Sequence, residues 1–382
     1  MSDWKKVKLG DICERVTSGG TPKANVTSYY NPPTIPWLKT KEVNYCRITE
    51  TENYISEEGL ANSSAKLIAP NSVIIAMYGQ GDTAGRVAIN KIPLTTNQAC
   101  CNLTIDESKA DYEFIYYQLC TLYNKMVSLK AGAAQPNLNA QIIKNIEVKL
   151  PSLPIQHRIA SILSRYDSLI ENYQKQIKLL EEAAQRLYKE WFVDLHFPGH
   201  ENTKIIDGVP EGWEKKKVGD ITPIKTGKKD ANFGTSDGAY PFFTCSQEPI
   251  KAPSYSFDTS AVILAGNGDF NVKLYRGKFE AYQRTYVLEP TNEKMLYLLY
   301  FCISENMNRL ATGASGSTIK FLTKGMIESL DINEPSRRVI DSFNQIIEPI
   351  RTQKENLQSQ IRLLTEARDR LLPKLMNGEI KV

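Results

Sequence analysis

From Pro154 onward, Ile159, Ile162, Tyr166, Leu169, Tyr173, Ile177, Leu180, Ala184, Leu187 and Trp191 recur at three- and four-residue intervals in a Gly-free stretch. That spacing predicts a coiled-coil seam on one long helix, and about 38 residues at ~1.5 Å rise make a rod of ~57 Å. A second stretch from Ser336 carries Val339, Phe343, Ile346, Ile350, Leu357, Ile361, Leu364 and Leu371, and Pro373 and Gly378 are expected to close it. Pro349 inside it predicts a kink. Elsewhere the pattern differs. Short β-branched runs at Ser72 to Met77 and Arg86 to Ile89, and a helical stretch from Tyr112 to Lys130, lie among Gly, Pro, Asn and Thr loops. Those features predict mixed α+β domains.

The two helical stretches are copies of each other. QKQIKLLEEAAQRLYKEW at 174 to 191 returns as QSQIRLLTEARDRLLPKL at 358 to 375, with nine of eighteen positions identical and an offset of 184. WKKVKLGDI at 4 to 12 returns as WEKKKVGDI at 213 to 221, an offset of 209. Gly132 and Leu138 align with Gly313 and Ile319, and Ile143, Ile146, Val148 and Pro151 align with Ile327, Leu330, Ile332 and Pro335. An internal repeat of this kind decides the architecture. The expected plan is a globular domain over 1–153, a spacer helix over 154–195, a linker over 196–212, a second domain over 213–334, and a second helix with its tail over 335–382. The first helix leaves one domain for the other and the second must start where the first arrives, so paired rods run antiparallel. The fold class is therefore α+β, with two similar mixed domains separated by an antiparallel coiled coil in a pseudo-twofold repeat that works as a ruler.

Composition changes this picture little. A net charge of +4 and 19 Tyr suit a nucleic-acid binder without demanding one. Seven Cys without CxxC spacing read as reduced thiols of a cytoplasmic protein, and no apolar run approaches the ~20 residues of a membrane span. His196 and His200 lack further ligands at metal spacing and read as linker residues. Cys100 and Cys101 on one strand would face opposite sides and pack in cores. Asn31-Pro32-Pro33 resembles the opening of an adenine-methyltransferase motif, but Thr34 stands where a stacking aromatic would be. No glycine-rich cofactor turn lies nearby, so a Pro-rich turn is the better reading. No phosphate-binding GxxxxGK[ST] occurs either. No catalytic residues are assigned.

The polar, Gly-rich loops carry the candidate chemistry. Small residues allow close approach to a nucleic-acid backbone, and amides, guanidiniums and hydroxyls match base edges. Domain one offers Thr17, Ser18, Gly19, Gly20, Thr21, Pro22 and Lys23, then Tyr78, Gly79, Gln80 and Gly81, Arg86, Asn97, Gln98, and the segment from Gly132 that includes Gln135 and Asn137. Domain two offers Lys225, Thr226, Gly227, Lys228 and Lys229, then Gly266, Asn267 and Gly268, Arg276, Gln283, Arg284, and the segment from Gly313 that includes Ser315, Ser317 and Lys320. Lys23, Arg86, Lys228, Lys229 and Arg276 are the candidates for phosphates, and Gln80, Asn97, Gln98, Asn267, Gln283 and Arg284 for bases.

The duplicated opening, SGGTP at 18 to 22, IPWL at 35 to 38 and TNQAC at 96 to 100 together resemble the specificity subunit of type I restriction-modification systems. LPSLPIQHRIASIL at 150 to 163, LYKEWFVDLHFPGH at 187 to 200 and VPEGW at 209 to 213 extend the likeness over nearly the whole chain. The resemblance implies a non-catalytic subunit in which each globular domain reads one half of a split double-stranded DNA site. It implies that the helices set the spacer and dock two methyltransferase subunits, which restriction subunits join. It places no cofactor in this chain, S-adenosylmethionine in the methyltransferase, and ATP with Mg in the restriction subunit. The competing expectation is a scaffold that spaces two protein-binding domains and never touches DNA; a self-contained adenine methyltransferase built on Asn31-Pro32-Pro33 is the third.

Overall fold

The computed structural model describes residues 4–130, 137–314 and 320–382. The chain divides into two compact units, one formed by residues 1–173 with 359–382 and the other by 174–358.

In the first unit a five-stranded sheet has the order Cys13–Ser18, Cys100–Ile105, Val73–Ala76, Val87–Asn90, Cys46–Ile48, with only the last pair parallel. Successive side chains of a strand face opposite ways, which divides its apolar residues between two cores. Val73, Ile75, Val87, Ile89, Cys101 and Leu103 pack with Phe114 and Leu119 of the helix Tyr112–Thr121. Ile74, Ala76, Ala88 and Cys100 face Leu38, Val43, Ile68 and Leu94 on the other side. Adjacent Cys100 and Cys101 thus enter different cores. A small sheet of Tyr54–Ile55, Ile35–Leu38 and Thr95–Thr96 lies beside them.

The second unit has a six-stranded sheet in the order Ile224–Thr226, Thr285–Leu288, Phe257–Ala265, Val272–Ala281, Tyr240–Phe243, Ile250–Ala252. Helix Leu296–Glu305, buried along most of its length, packs against it.

The duplicated openings have a direct structural meaning. Lys5–Lys8 pairs antiparallel with Glu147–Leu150, and Glu214–Lys217 pairs antiparallel with Asp331–Glu334. Offsets of 209 and 184 carry the first ladder onto the second residue for residue, Lys5↔Leu150 onto Glu214↔Glu334. The hydrogen bond from Leu9 N to Ile146 O (2.8 Å) likewise has its copy from Val218 N to Leu330 O (2.9 Å). In each unit a strand near the start thus pairs with the last strand, the one that leads into a long helix.

The last strand of each feeds a long helix, Leu153–Tyr188 and Arg337–Met376. The first ends in a π-helical turn at Lys189–Val193, followed by Leu195 with φ 62°. The second continues through both Pro349 and Pro373, so Pro373 lies inside the helix rather than at its end. In the first unit Arg368 donates to Asp167 at 2.6 Å, while Leu375 and Met376 pack with Ile159 and Leu163. In the second, Lys354 pairs with Glu181 at 2.6 Å and Phe343 meets Phe192. Within each unit the segments therefore run antiparallel.

The buried stripe departs from the expected seam at two places. Leu169 is 44% exposed, and Asp167 and Ile170 turn inward instead. Asp167 is drawn in by Arg47 and Arg368, and a group so placed rotates Leu169 outward. Ile346 is 43% exposed, and Ile347, four residues after Phe343, takes the inner place. Among the described residues no helix is long and apolar enough to cross a membrane.

Candidate nucleic-acid interface

Strand register decides which loops can act together. In the first unit Ser18 stands opposite Cys101, Ala76 opposite Cys100, Ile75 opposite Val87, and Cys46 beside Ala88. The segments after Ser18, before Cys100, between Ala76 and Val87, and before Cys46 therefore lie at one end of the sheet. Gly19 to Lys23, Asn97, Gln98, Tyr78 to Gln80 and Arg86 are in those segments, and Thr17 and Ser18 close the strand that leads into the first of them. Leu138 N donates to Met77 O at 3.1 Å, which brings Asn137 there too. Gln135 falls outside the described residues.

In the second unit Thr226 stands opposite Tyr286, Ala265 opposite Thr285, and Leu264 opposite Val272. Thr226 to Lys229, the Gly266 to Asn271 turn, and Gln283-Arg284 thus share an end. Hydrogen bonds lace them: Gly266 N to Arg284 O at 2.8 Å, Gln283 N to Lys229 O at 2.9 Å, and Leu322 N to Gly266 O at 2.8 Å. Asn267 bridges to Phe321, which places Lys320 alongside. Ser315 and Ser317 fall outside the described residues.

The two ends share a device that lies outside the repeats visible in the sequence. Gly79-Gln80-Gly81-Asp82 and Gly266-Asn267-Gly268-Asp269 each turn the chain after a sheet strand that spans the core. Gly81 (φ 60°) and Gly268 (φ 67°) are left-handed with open space around the Cβ position, so each tip stands clear of the fold. Gln98 and Gln283 also correspond, each preceding the strand that pairs with the one before the tip.

Other glycines serve the fold. A Cβ on Gly19 would lie 2.2 Å from Asn97 O, and one on Gly227 1.9 Å from Ala281 O. These positions are glycine because the protein's own backbone crosses them, which replaces the expected role of admitting a nucleic-acid backbone.

The cations sort by their partners. Arg86 is held by Asp82 (2.5 Å) and Asn44 (3.0 Å), Lys225 by Glu289 (3.0 Å), and Arg276 by Glu348 (2.8 Å). Arg276 lies within its strand above the Tyr297 ring, away from the loop end. Lys229 sits 4.4 Å above the Phe233 ring. Lys23, Lys228, Arg284 and Lys320 have no carboxylate partner among the described residues. Among the amides, Gln98 Oε1 accepts from Thr21 and Asn97 Oδ1 accepts from Cys100, whereas Gln80, Asn267 and Gln283 keep their carboxamides unpaired among the described residues. Burial pushes the Tyr45 phenol, beside Arg86, up to about 12 and keeps it a donor.

Trp37, known from the sequence only as part of the IPWL motif, and Lys39 and Asn53 were not among the site candidates. They line a cavity of about 570 Å³ with Thr21, Tyr30 and Tyr54. Lys39 Nζ lies 5.0 Å above the Trp37 ring and donates to Asn53 Oδ1 at 2.9 Å, and Trp37 Nε1 donates to Gly20 O at 3.0 Å. Beyond its place in the family motif, nothing in the local pattern of IPWL marks a cavity wall rather than an ordinary buried strand. On the helices, exposed Leu179 and Leu363 are equivalent by the 184 offset, next to Lys178 and Arg362. Among the described residues no group of three His, Cys, Asp or Glu is placed to hold a metal.

Residues 1–182 and 210–356 match the family described as type I restriction modification DNA specificity domain. The MjaIX specificity subunit of Methanocaldococcus jannaschii is 28% identical over all of this chain and 94% of its own length. The EcoDI specificity subunit of Escherichia coli is 38% identical over 45% of this chain and 39% of its own. The crystal structure of the type I S subunit from M. genitalium has the same fold, with a TM-score of 0.64 and 16% identity over 98% of this chain and 96% of that one.

Proposed function

This chain belongs to the type I restriction modification DNA specificity family, and from that premise we propose that each unit reads one half of a split duplex site with the loop end of its sheet. It is a DNA-recognition subunit and not an enzyme. The observation that carries the two-half reading is the repeated tip: Gln80 and Asn267 each stand between glycines at the loop end of a sheet, an end that also holds cations without a carboxylate partner among the described residues. Lys23 on one side and Lys228, Arg284 and Lys320 on the other suit phosphates, and the tip amides suit base edges in a major groove.

The long helices set the gap between the half-sites. They also dock two methyltransferase subunits, one on each copy of the exposed patch formed by Lys178, Leu179 and Glu182 and by Arg362, Leu363 and Glu366. Restriction subunits complete the assembly in the cytoplasm. S-adenosylmethionine would belong to the methyltransferase, and ATP with Mg to the restriction subunit.

Single-molecule sequencing of methylated adenines in cells expressing this chain with its methyltransferase tests the proposal. A split motif with a fixed gap is expected, and exchanging residues 213–334 should change one half alone. A contiguous motif, or a change in both halves, would refute it.

A further inference from the structure

Each unit ties its sheet to a long helix through the same three-sided contact. In the first, Arg47 Nη1 donates to Asp167 Oδ2 at 2.8 Å, Tyr117 Oη donates to that oxygen at 2.5 Å, and the guanidinium lies 5.8 Å from the Tyr117 ring. Arg47 Nη2 also reaches Tyr117 Oη at 2.8 Å, which closes the triangle. In the second, Arg276 Nη1 donates to Glu348 Oε1 at 2.8 Å, Tyr297 Oη donates to the same carboxylate, and the guanidinium lies 5.3 Å from the Tyr297 ring. Arginine and tyrosine come from the reading domain, and the carboxylate comes from the long helix.

Duplication does not account for the match. Carrying Arg47 across by the 209-residue offset lands on Ser256, and carrying Asp167 by 184 lands on Arg351. The same geometry is built twice from unrelated positions. In the first triangle stability alone is a poor reason for it, since apolar side chains of similar volume do as well as or better than a buried ion pair; in the second the pair is part-exposed, Arg276 34% and Glu348 47%, and an ion pair so placed adds little by itself. A planar guanidinium held between a ring and a carboxylate does, however, accept only one orientation. Arg47 is 5% and Asp167 7% exposed, and Arg368 from the second helix closes on the other carboxylate oxygen at 2.6 Å. Arg47 also pairs with Glu113 and lies 3.5 Å from Glu171, so one strand residue grips the helix Tyr112–Thr121 and the first long helix together. Cys46, its neighbour, opens the strand at the reading end of the sheet.

We propose that these two triangles are positioning devices that fix the angle at which each reading domain is carried on its own helix segments. They thereby set how strictly the gap between half-sites is enforced. The inference rests on the DNA-reading function proposed above. A domain released from its triangle keeps its loops and its half-site but rocks on the helix, so sites with a longer or shorter gap become acceptable.

The test uses the full chain with its methyltransferase and duplexes carrying the split motif found by methylation sequencing, with the gap unchanged or altered by one base pair. Tyr117→Phe and Tyr297→Phe remove one hydroxyl each and keep the packing; Asp167→Asn and Glu348→Gln remove the charge. The expected result is a loss of about tenfold in preference for the native gap, the worth of one charge-assisted hydrogen bond, with base preferences in both halves unchanged. Lys109→Ala, which removes a surface pair with Asp106, should leave the preference intact. Equal weakening at all gaps would mean a merely structural role and overturn the inference, as would unchanged gap preference in the two Tyr→Phe variants. If the unaltered protein binds none of the duplexes, the proposed function itself has failed.

Discussion

The tip amides offer the most direct measurement. Gln80 is exposed, its carboxamide has no partner among the described residues, and the glycines on both sides remain when it is cut to alanine. Gln80→Ala should therefore leave the fold within about 0.5 kcal/mol of its original stability, as expected for a surface position free of special contacts. On DNA the same change removes both donor and acceptor of one base contact, worth ~1–3 kcal/mol at a single base pair. At 1.4 kcal/mol per decade that is a loss of roughly 5- to 150-fold. Competition binding would measure it, with a duplex panel in which every base pair of both half-sites is permuted in turn. Gln80→Ala should flatten discrimination at one position of one half, and Asn267→Ala at one position of the other. If either variant loses affinity evenly across all sequences, the tips touch phosphates. If neither loses any, the loop ends are not the reading surface.

Gly227→Ala should destabilise the second unit by ~1–3 kcal/mol or more in denaturant unfolding, because its Cβ would stand 1.9 Å from Ala281 O. Gly268→Ala meets open space and pays only ~1–2 kcal/mol for its left-handed backbone; the reverse order would contradict the packing described. Burial pushes the thiols of Cys13, Cys101, Cys120 and Cys302 up to about 12 and raises those of Cys46 and Cys100 as well. Alkylation followed by mass spectrometry at neutral pH should thus label Cys245 first, and, if the loop end reads DNA as proposed, bound DNA should protect it, since its Sγ donates to Arg284 O at that end. Burial acts to raise the Glu348 carboxyl, but Tyr297 and Arg276 hold it below its ordinary value. Its contribution is complete above the unfolded carboxylate pKa and is lost as pH falls through the lower folded value. The stability difference between the native protein and Glu348→Gln should accordingly shrink between about pH 5 and 3, and a constant difference would refute the ion pair.

The repeats made the plan of the chain legible because they recur in register: WKKVKLGDI and WEKKKVGDI are the opening strands of two ladders with identical pairing. The loop candidates were legible as a set, since turn residues carry their own local signal. Their gathering at one end of each sheet was not, because it depends on strand order. Arg276 shows the limit of reading a cation by type: a carboxylate 72 positions away decides that it holds a helix. Leu169 and Ile346 show the same for apolar spacing, where a two-residue choice between neighbouring faces was settled by Asp167 and Phe343.

Leu375 and Met376 are buried in the same core as Leu9, Phe114 and Leu163, although some 200 residues of other structure lie between them along the chain. During synthesis Leu375 and Met376 reach that core only after the whole of the second unit has emerged. Until then the apolar flank of the helix around Ile159 and Leu163 is open to solvent and to other nascent chains. Late, long-range closure of this kind is slow. A chain cut short of the final turns would leave the first unit without Leu375 and Met376 in its core.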